Sequence, residues 1–334
     1  MKNPIITLSC PPKISGYYSV VGHKENEGPL AHLFSEHSDD DRFGKNTWEE
    51  AESEMQLCAI KGATKASGVA VDDLDVILAG DLLNQCIGSS YALSSFATPF
   101  IGLYGACSTC AEGLALGACL HSGGITRLSC AVTSSHYCAS ERQFRFPLEY
   151  GGQRAPTAQW TVTGSGAFVL GDEGTVSIKE VLFGRAVDNG IKDINNMGAA
   201  MAPAAIDTLT RYFENSNHSP DFFDLIVTGD LGYEGSGILQ DLLLGDGIDI
   251  RKNHRDCGLM IFDRKEQDTH AGGSGCGCSA AVLAADLLPR LERGELKHIL
   301  FLGTGALMSP VSIFQGKSIP AVCHLVHLCG KEVV

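Results

Sequence analysis

The chain has 334 residues, of which 44% are apolar and 19% are charged, so it can bury one large α/β core or two fused halves. Its formal net charge is −14 and it contains no run of Lys and Arg, which argues against nucleic-acid binding. An anionic ligand would therefore need a local cluster of hydrogen-bond donors.

Thirteen cysteines are spread from Cys10 to Cys329. The first residues lack the apolar core of a secretory signal. No apolar run is long enough to predict a transmembrane helix. We therefore expect reduced thiols in a cytoplasmic protein and no disulfide framework. Cys276 and Cys278 are too close in sequence for the usual spacing of zinc ligands, so we predict no metal site there or elsewhere.

The first predicted strand belongs to an internal duplication. Residues 71–81 contain an acidic turn, a short apolar strand and Gly-Asp, and residues 220–230 repeat this pattern at an offset of 149. Short continuous apolar runs are typical of strands that are covered on both faces. Asp81 and Asp230 thereby follow two equivalent core strands at their carboxyl ends, where ligand sites tend to lie in α/β folds.

A second repeated block follows in each half. Residues 106–124 and 275–294 both run from small residues into an apolar helix and lead to a basic residue and a strand. These strands begin at Arg127 and Lys297, an offset of 170, so the second half carries a 21-residue expansion. The two helices are apolar on nearly every side, which predicts that both are buried.

Two buried helices between two sheets predict a five-layer α-β-α-β-α arrangement. We place the N-terminal half at residues 1–172 and the C-terminal half at residues 173–334. Residues 133–158 have no counterpart in the second half. They are predicted to form an inserted, irregular loop region near the end of a core strand, beside the site.

Cys107 lies just before the first buried helix. Unpaired backbone N–H groups and the positive end of the helix dipole favour a thiolate there and lower its pKa. A thiol in this position can act as a nucleophile. The alternative is an inert cysteine that packs as a small apolar residue.

Residues 105–109 resemble the nucleophile motif of thiolases and β-ketoacyl synthase III enzymes. Longer stretches, in order along nearly the whole chain, resemble a narrower family, the stage V sporulation protein AD family. These stretches are Glu27–Phe34, Ala79–Gln85, Thr133–His136, Glu141–Pro147, Glu149–Gln153, Met201–Ala205, Asp256–Met260, Ala271–Cys276 and Gly303–Pro310.

The resemblance implies a thiolase fold, with two pseudo-symmetric halves in the five-layer arrangement. It also implies a sporulation protein that helps to move dipicolinic acid, with calcium, into the spore and to release it on germination. The chain would be the soluble subunit, binding dipicolinic acid beside other stage V sporulation protein A-type membrane subunits at the cytoplasmic face of the forespore or spore inner membrane. By analogy with the fold, we expect a homodimer.

Condensing enzymes of this fold pair the nucleophile with a His and an Asn from the second half. The first of these positions falls at Gly229-Asp230 and the second in the run Gly275–Cys278, and neither holds such a side chain. We therefore expect binding without catalysis, and no cofactor apart from calcium carried by the ligand. Two alternatives stay open: a thiolase- or β-ketoacyl synthase III-like acyltransferase that uses Cys107, and a scaffold with an empty cleft.

A dianionic ligand needs donors at both ends, and Arg guanidinium groups suit carboxylates. Arg142 and Arg145 lie in the inserted region, where acidic neighbours equally favour structural salt bridges. Asp81 and Asp230 are interpreted either as calcium contacts or as caps of the turns after their strands. The full set of candidate ligand-binding residues is Asp81, Asn84, Cys107, Ser108, Ser135, His136, Arg142, Arg145 and Asp230.

Overall fold

The computed structural model describes residues 3–144 and 153–331. The strands in these ranges are β1 Ile6–Thr7, β2 Lys13–Val21, β3 Glu36–His37, β4 Val76–Gly80, β5 Phe100–Gly102, β6 Ser129–Ser135, β7 Trp160–Thr161, β8 Gly164–Gly171, β9 Val176–Leu182, β10 Leu225–Thr228, β11 His254–Asp256, β12 Gly273–Ser274, β13 His298–Ala306 and β14 Ala321–Cys329. The helices are α1 Trp48–Ser67, α2 Ile87–Leu93, α3 Thr109–Ser122, α4 Tyr137–Phe144, α5 Met197–Asn215, α6 Gly232–Gly245, α7 Cys257–Met260, α8 Cys276–Val282, α9 Leu288–Glu292 and α10 Pro310–Phe314.

One mixed sheet contains two halves with the same strand order. The first half reads β5-β4-β6-β8-β2 and the second half reads β11-β10-β13-β14-β9. In each half the first three strands are parallel, and the last two are antiparallel to their neighbours. The halves join edge to edge where Lys13 pairs with Ser177 and Ile14 with Val176. Strand order and direction therefore confirm the predicted duplication.

The hydrophobic clusters separate five layers. Helix α1 covers the outer face of the first half of the sheet, and α5 covers the outer face of the second half. Helices α3 and α8 lie between the two halves, where Leu114, Ala280 and Leu283 belong to one central cluster. Because α8 and α9 are joined by a π-helical turn at Leu283–Leu287, the second central helix is continuous. This is the predicted α-β-α-β-α arrangement.

Two aspartates accept equivalent backbone hydrogen bonds in the two halves. Asp75 Oδ2 accepts hydrogen bonds from the backbone N–H groups of residues 127 and 128, just before β6, at 2.6 and 2.9 Å. Asp224 Oδ2 accepts from those of residues 297 and 298, at the start of β13, also at 2.6 and 2.9 Å. The repeated acidic residue in the sequence thus satisfies the same two backbone donors in each half, which would otherwise be unpaired at the strand start.

The predicted inserted region begins later than expected. Strand β6 continues through Ser135, so residues 133–135 belong to the core strand. Helix α4 follows immediately, and residues 145–152 lie outside the described residues. In the part of the chain that the structure describes, no helix has the length and apolar character that a bilayer span requires.

Candidate functional site

A cleft of about 750 Å³, counting its solvent-open mouth, lies at the carboxyl ends of the core strands. It is bounded by the loop before α3, by α4, by β7 and β12, by the start of α5 and by the end of β13. The lining residues are Leu82, Tyr104, Ala106, Cys107, Ser140, Glu141, Phe144, Gln159, Thr161, Ile194, Asn195, Met197, Met201, Ser274, Ala306 and Met308.

Among the predicted site residues that the structure describes, Cys107 is the one that lines this cleft. It lies two residues before α3 begins, and the preceding Ala106 has a φ of 50°, a conformation that costs a non-glycine residue energy. The loop packs directly on β13, since a Cβ added at Gly305 would lie 2.1 Å from the carbonyl oxygen of Gly105. A strained, closely packed loop therefore holds the thiol in the cleft.

The environment of Cys107 opposes ionisation of the thiol. Burial raises its pKa well above the ordinary value, and the negative charge of the nearby Asp230 raises it further. The predicted lowering of the pKa by the helix start is therefore wrong. The physical reason is that desolvation disfavours the thiolate, and the charge of Asp230 adds to that effect.

Asp230 is fully buried beneath the floor of the cleft. Its carboxylate accepts hydrogen bonds from Ser274 Oγ at 2.9 Å, from the backbone N–H of Gly275 at 2.9 Å and from Thr304 Oγ1 at 2.8 Å. Burial raises the pKa of Asp230, while these donors lower it. Ser274 also lies 3.8 Å from Cys107, measured between Oγ and Sγ, so one hydroxyl contacts both groups.

Asp81, the pseudo-symmetric partner of Asp230, is also fully buried. It accepts from the backbone N–H of Leu83 at 2.9 Å, and from the backbone and hydroxyl of Ser89 at 2.8 and 2.6 Å. Both aspartates thus have their oxygens engaged by donors of their own half. This geometry fits the turn-capping interpretation and gives no support to a calcium site shared by the two carboxylates.

Three further predicted residues are fully buried and hydrogen-bonded inside the protein. Ser108 Oγ donates to the carbonyl of Gly105 at 2.6 Å, and Ser135 Oγ donates to that of Val162 at 2.6 Å. His136 Nε2 lies 2.6 Å from the backbone oxygen of Asp41, and burial lowers the pKa of this histidine. None of these side chains lines the cleft, so the structure favours their structural role.

Arg142 and Asn84 lie outside the cleft, in a separate shallow groove. The Arg142 guanidinium pairs with Glu49 and lies 5.3 Å from the ring of Trp48. The salt-bridge interpretation of Arg142 therefore describes its geometry, because α4 turns this side chain toward α1. Asn84 is exposed, and Arg145 lies outside the described residues.

Sequence reasoning missed most of the polar residues that do line the cleft. Gln159 is the clearest case: its Nε2 donates to the backbone oxygens of Asp230 at 2.6 Å and Gly273 at 3.0 Å, and its Oε1 is buried without a hydrogen-bond partner. Strand β7 alternates its side chains, so Thr161 also lines the cleft, while Trp160 stacks on Tyr137 with ring centroids 3.9 Å apart. No periodic pattern marks a two-residue strand in advance.

The fold and the cleft, with its cysteine before a central helix, define a thiolase-like protein. Cerulenin-bound OleA from Xanthomonas campestris aligns with a TM-score of 0.57 at 13% identity, over 98% of this chain and 99% of that one. A 3-oxoacyl-[acyl-carrier-protein] synthase III from Aquifex aeolicus aligns with a TM-score of 0.56 at 11% identity, over 95% of this chain and 99% of that one. At these identities the likeness shows the fold alone.

Within that class, the chain belongs to the stage V sporulation protein AD family, whose model matches residues 3–329. Stage V sporulation protein AD of Bacillus subtilis is 42% identical over 307 residues, which cover 92% of this chain and 90% of that protein. The resemblance seen in the sequence is therefore confirmed, and the chain is a sporulation protein.

Proposed function

We propose that the cleft binds dipicolinic acid without chemical turnover, and that the chain is the peripheral subunit of a spore dipicolinate transport system. The observation that carries this proposal is that Ser274 Oγ lies 3.8 Å from Cys107 Sγ and donates to the Asp230 carboxylate at 2.9 Å, which places that carboxylate near the thiol. Burial and the nearby carboxylate raise the pKa of the thiol, so it stays protonated and is a poor nucleophile. The cleft of the fold is present, but the described surroundings of Cys107 keep its thiol protonated and do not activate it as a nucleophile.

The lining of the cleft suits a small planar aromatic molecule. Tyr104 and Phe144 offer ring faces, and several Met and Leu side chains add apolar surface. Gln159, Asn195 and Ser274 supply a few separate polar groups. Pockets that bind small ligands commonly combine a mostly apolar wall with a few polar groups that fix orientation.

Charge favours the calcium chelate over the free dianion. The described residues that line the cleft include Glu141 and contain no Lys or Arg. A bound calcium ion would neutralise the two carboxylates of the ligand and remove the repulsion from an acidic chain. Arg145, which lies outside the described residues, is the second source of positive charge in this proposal.

Calorimetric titration with dipicolinate, in the presence and absence of calcium, tests the binding. We expect heat with the calcium chelate, and an affinity at least tenfold lower for Phe144→Ala. Phe314→Ala is the matched control, because Phe314 is 88% exposed on α10 and is not among the lining residues. Absence of heat and of a thermal shift at millimolar ligand would instead support a scaffold with an empty cleft.

The alternative function is acyl transfer through Cys107, and the fold shared with a 3-oxoacyl-[acyl-carrier-protein] synthase III is what favours it. Incubation with acyl-coenzyme A followed by intact-mass measurement separates the two. We expect no thioester on Cys107 over the time in which a condensing enzyme turns over many times. A stoichiometric adduct that is lost in Cys107→Ser would replace the binding proposal with the enzymatic one.

We further propose that the protein acts beside other stage V sporulation protein A-type membrane subunits, at the cytoplasmic face of the forespore or spore inner membrane. Family membership supports this assignment. Fractionation of sporulating cells should find the protein with the inner membrane, and should lose it from that fraction when the membrane subunits are deleted. Unchanged membrane association in the deletion strain would contradict the proposed partners.

A further inference from the structure

A cluster of two histidines and one cysteine lies at the opposite end of the second half of the sheet from the cleft. Antiparallel pairing puts Cys329 of β14 directly opposite His298 of β13. His327 precedes Cys329 by two residues, so its side chain points to the same face of the sheet. His298 begins β13 and Ala306, which lines the cleft, ends it, so about 26 Å of extended strand separates the two regions.

The donor atoms of these side chains converge. His298 Nδ1 and His327 Nε2 are 3.2 Å apart, and Cys329 Sγ lies 3.4 Å from the former and 3.3 Å from the latter. A tetrahedral zinc ion, with bonds of about 2.0–2.1 Å to nitrogen and about 2.3 Å to sulfur, holds such atoms roughly 3.3–3.6 Å apart. The triangle therefore needs only small side-chain shifts to accept an ion.

A neighbouring carboxylate orients one of the histidines. Glu180 of β9, paired with His327 in the sheet, has its Oε2 3.2 Å from Nδ1 of that ring. The hydroxyl of Tyr212 donates to the same oxygen at 2.6 Å. A carboxylate on the second ring nitrogen directs the first toward the ligand position, which is the arrangement around most metal-bound histidines.

The cluster is accessible from one side. His298 and Cys329 line a surface groove together with Lys179, Lys297 and Lys331. Within the described residues, three protein ligands beside this groove would be joined by a fourth ligand, water or a small anion, and the lysines would favour an anion.

We propose that His298, His327 and Cys329 form a binding site for a zinc-class divalent cation, with an exchangeable fourth ligand supplied from the lysine-lined groove. Nitrogen and thiolate donors in a tetrahedral arrangement favour zinc over calcium or magnesium, which prefer oxygen. The site is distinct from the dipicolinate cleft and from Cys276 and Cys278, and it does not depend on the proposed function.

Cobalt(II) titration of the full chain, stripped of metal and kept reduced, tests the site. We expect one equivalent to bind and to produce a thiolate-to-cobalt charge-transfer band with tetrahedral ligand-field bands, which zinc then displaces. Cys329→Ser should lose the charge-transfer band, and His298→Gln should bind at least tenfold more weakly. Glu180→Gln should keep the stoichiometry and weaken binding about 10–100-fold, since it acts through His327.

The control is Cys10→Ser, which removes an exposed thiol that is not part of the cluster and should bind cobalt as the wild type does. Circular dichroism establishes that each variant is folded. If Cys329→Ser does not fold, the His298→Gln variant, which changes a half-buried side chain, tests the metal site instead. Failure of the wild type to bind cobalt or zinc at micromolar concentration, or wild-type affinity in His298→Gln, would overturn the proposal.

Discussion

Asp230 and Cys107 share the hydroxyl of Ser274, which donates to the carboxylate at 2.9 Å and lies 3.8 Å from the Cys107 Sγ. Burial and the charge of the nearby Asp230 keep Cys107 in its thiol form. The two residues come from different halves of the chain. The first half contributes the cysteine on a strained loop, and the second contributes the carboxylate at the end of β10.

Removing this charge should activate the thiol. In Asp230→Asn we expect the pKa of Cys107 to fall, because the anion that opposes ionisation is gone while burial remains. Well below its pKa, the reactivity of a thiol follows the thiolate fraction, so a fall of one unit gives about tenfold faster alkylation. Peptide mass spectrometry after timed iodoacetamide treatment measures the rate at Cys107. Exposed Cys10 is the internal control, and an unchanged rate at Cys107 in a folded variant would contradict the finding.

The equivalent aspartates of the two halves should have similar effects on stability. Asp75→Ala and Asp224→Ala each leave two backbone N–H groups without their acceptor, and we expect each to lower the free energy of unfolding by about 1–2 kcal/mol. Urea denaturation measures both. Glu173→Ala, in the exposed turn between β8 and β9, is the control and should cost little. A large loss in one half only would show that the duplication is not symmetric in energy.

Stability should fall as the pH rises toward neutrality. Burial raises the pKa of Glu25 and that of Asp256 to about 7, above their ordinary values near 4. The folded state therefore keeps protons that the unfolded state releases. The stability that these two groups contribute is fully present below pH 4 to 5 and is lost as the pH rises through 7. Each group contributes a slope of up to about 1.4 kcal/mol per pH unit.

Unfolding in urea at pH 5, 6, 7 and 8 measures this slope. Glu25→Gln should flatten the decline, because the amide does not titrate. Glu173→Gln is the control, because this side chain is exposed in the turn between β8 and β9. Identical slopes in the wild type and Glu25→Gln would show that Glu25 is ionised in the folded protein.

The edge strand β5 favours a homodimer. It ends one side of the sheet and exposes Phe100 and Ile101, with Tyr104 exposed beside the cleft. Open apolar edges of this kind pair readily with another strand. Light scattering should give twice 35.4 kDa for the wild type and a single chain mass for Ile101→Lys. Ile125→Lys, exposed in the turn after α3, should stay dimeric, and a monomeric wild type would refute the proposal.

Arg142→Ala should leave dipicolinate affinity within about threefold of the wild type. Its guanidinium pairs with Glu49 outside the cleft, so its loss removes a half-exposed ion pair and no ligand contact. Calorimetric titration of Arg142→Ala and of Arg145→Ala with dipicolinate measures the two affinities side by side. A strong loss of affinity in Arg142→Ala would mean that the groove of Arg142 and Asn84 is part of the ligand site.

The sequence by itself determined the architecture and the family. Periodic apolar runs, and a block that occurs twice, encode buried strands and central helices through local patterns, and these predicted the five layers, the position of Cys107 and the equivalence of Asp81 and Asp230. Tertiary structure alone decided which side chains meet. The pKa of Cys107, the orientation of Arg142, the Gln159 amide in the cleft and the convergence of His298, His327 and Cys329 all depend on residues that are distant in sequence. Their charges and donor atoms act over a few ångströms, and strand register sets those distances.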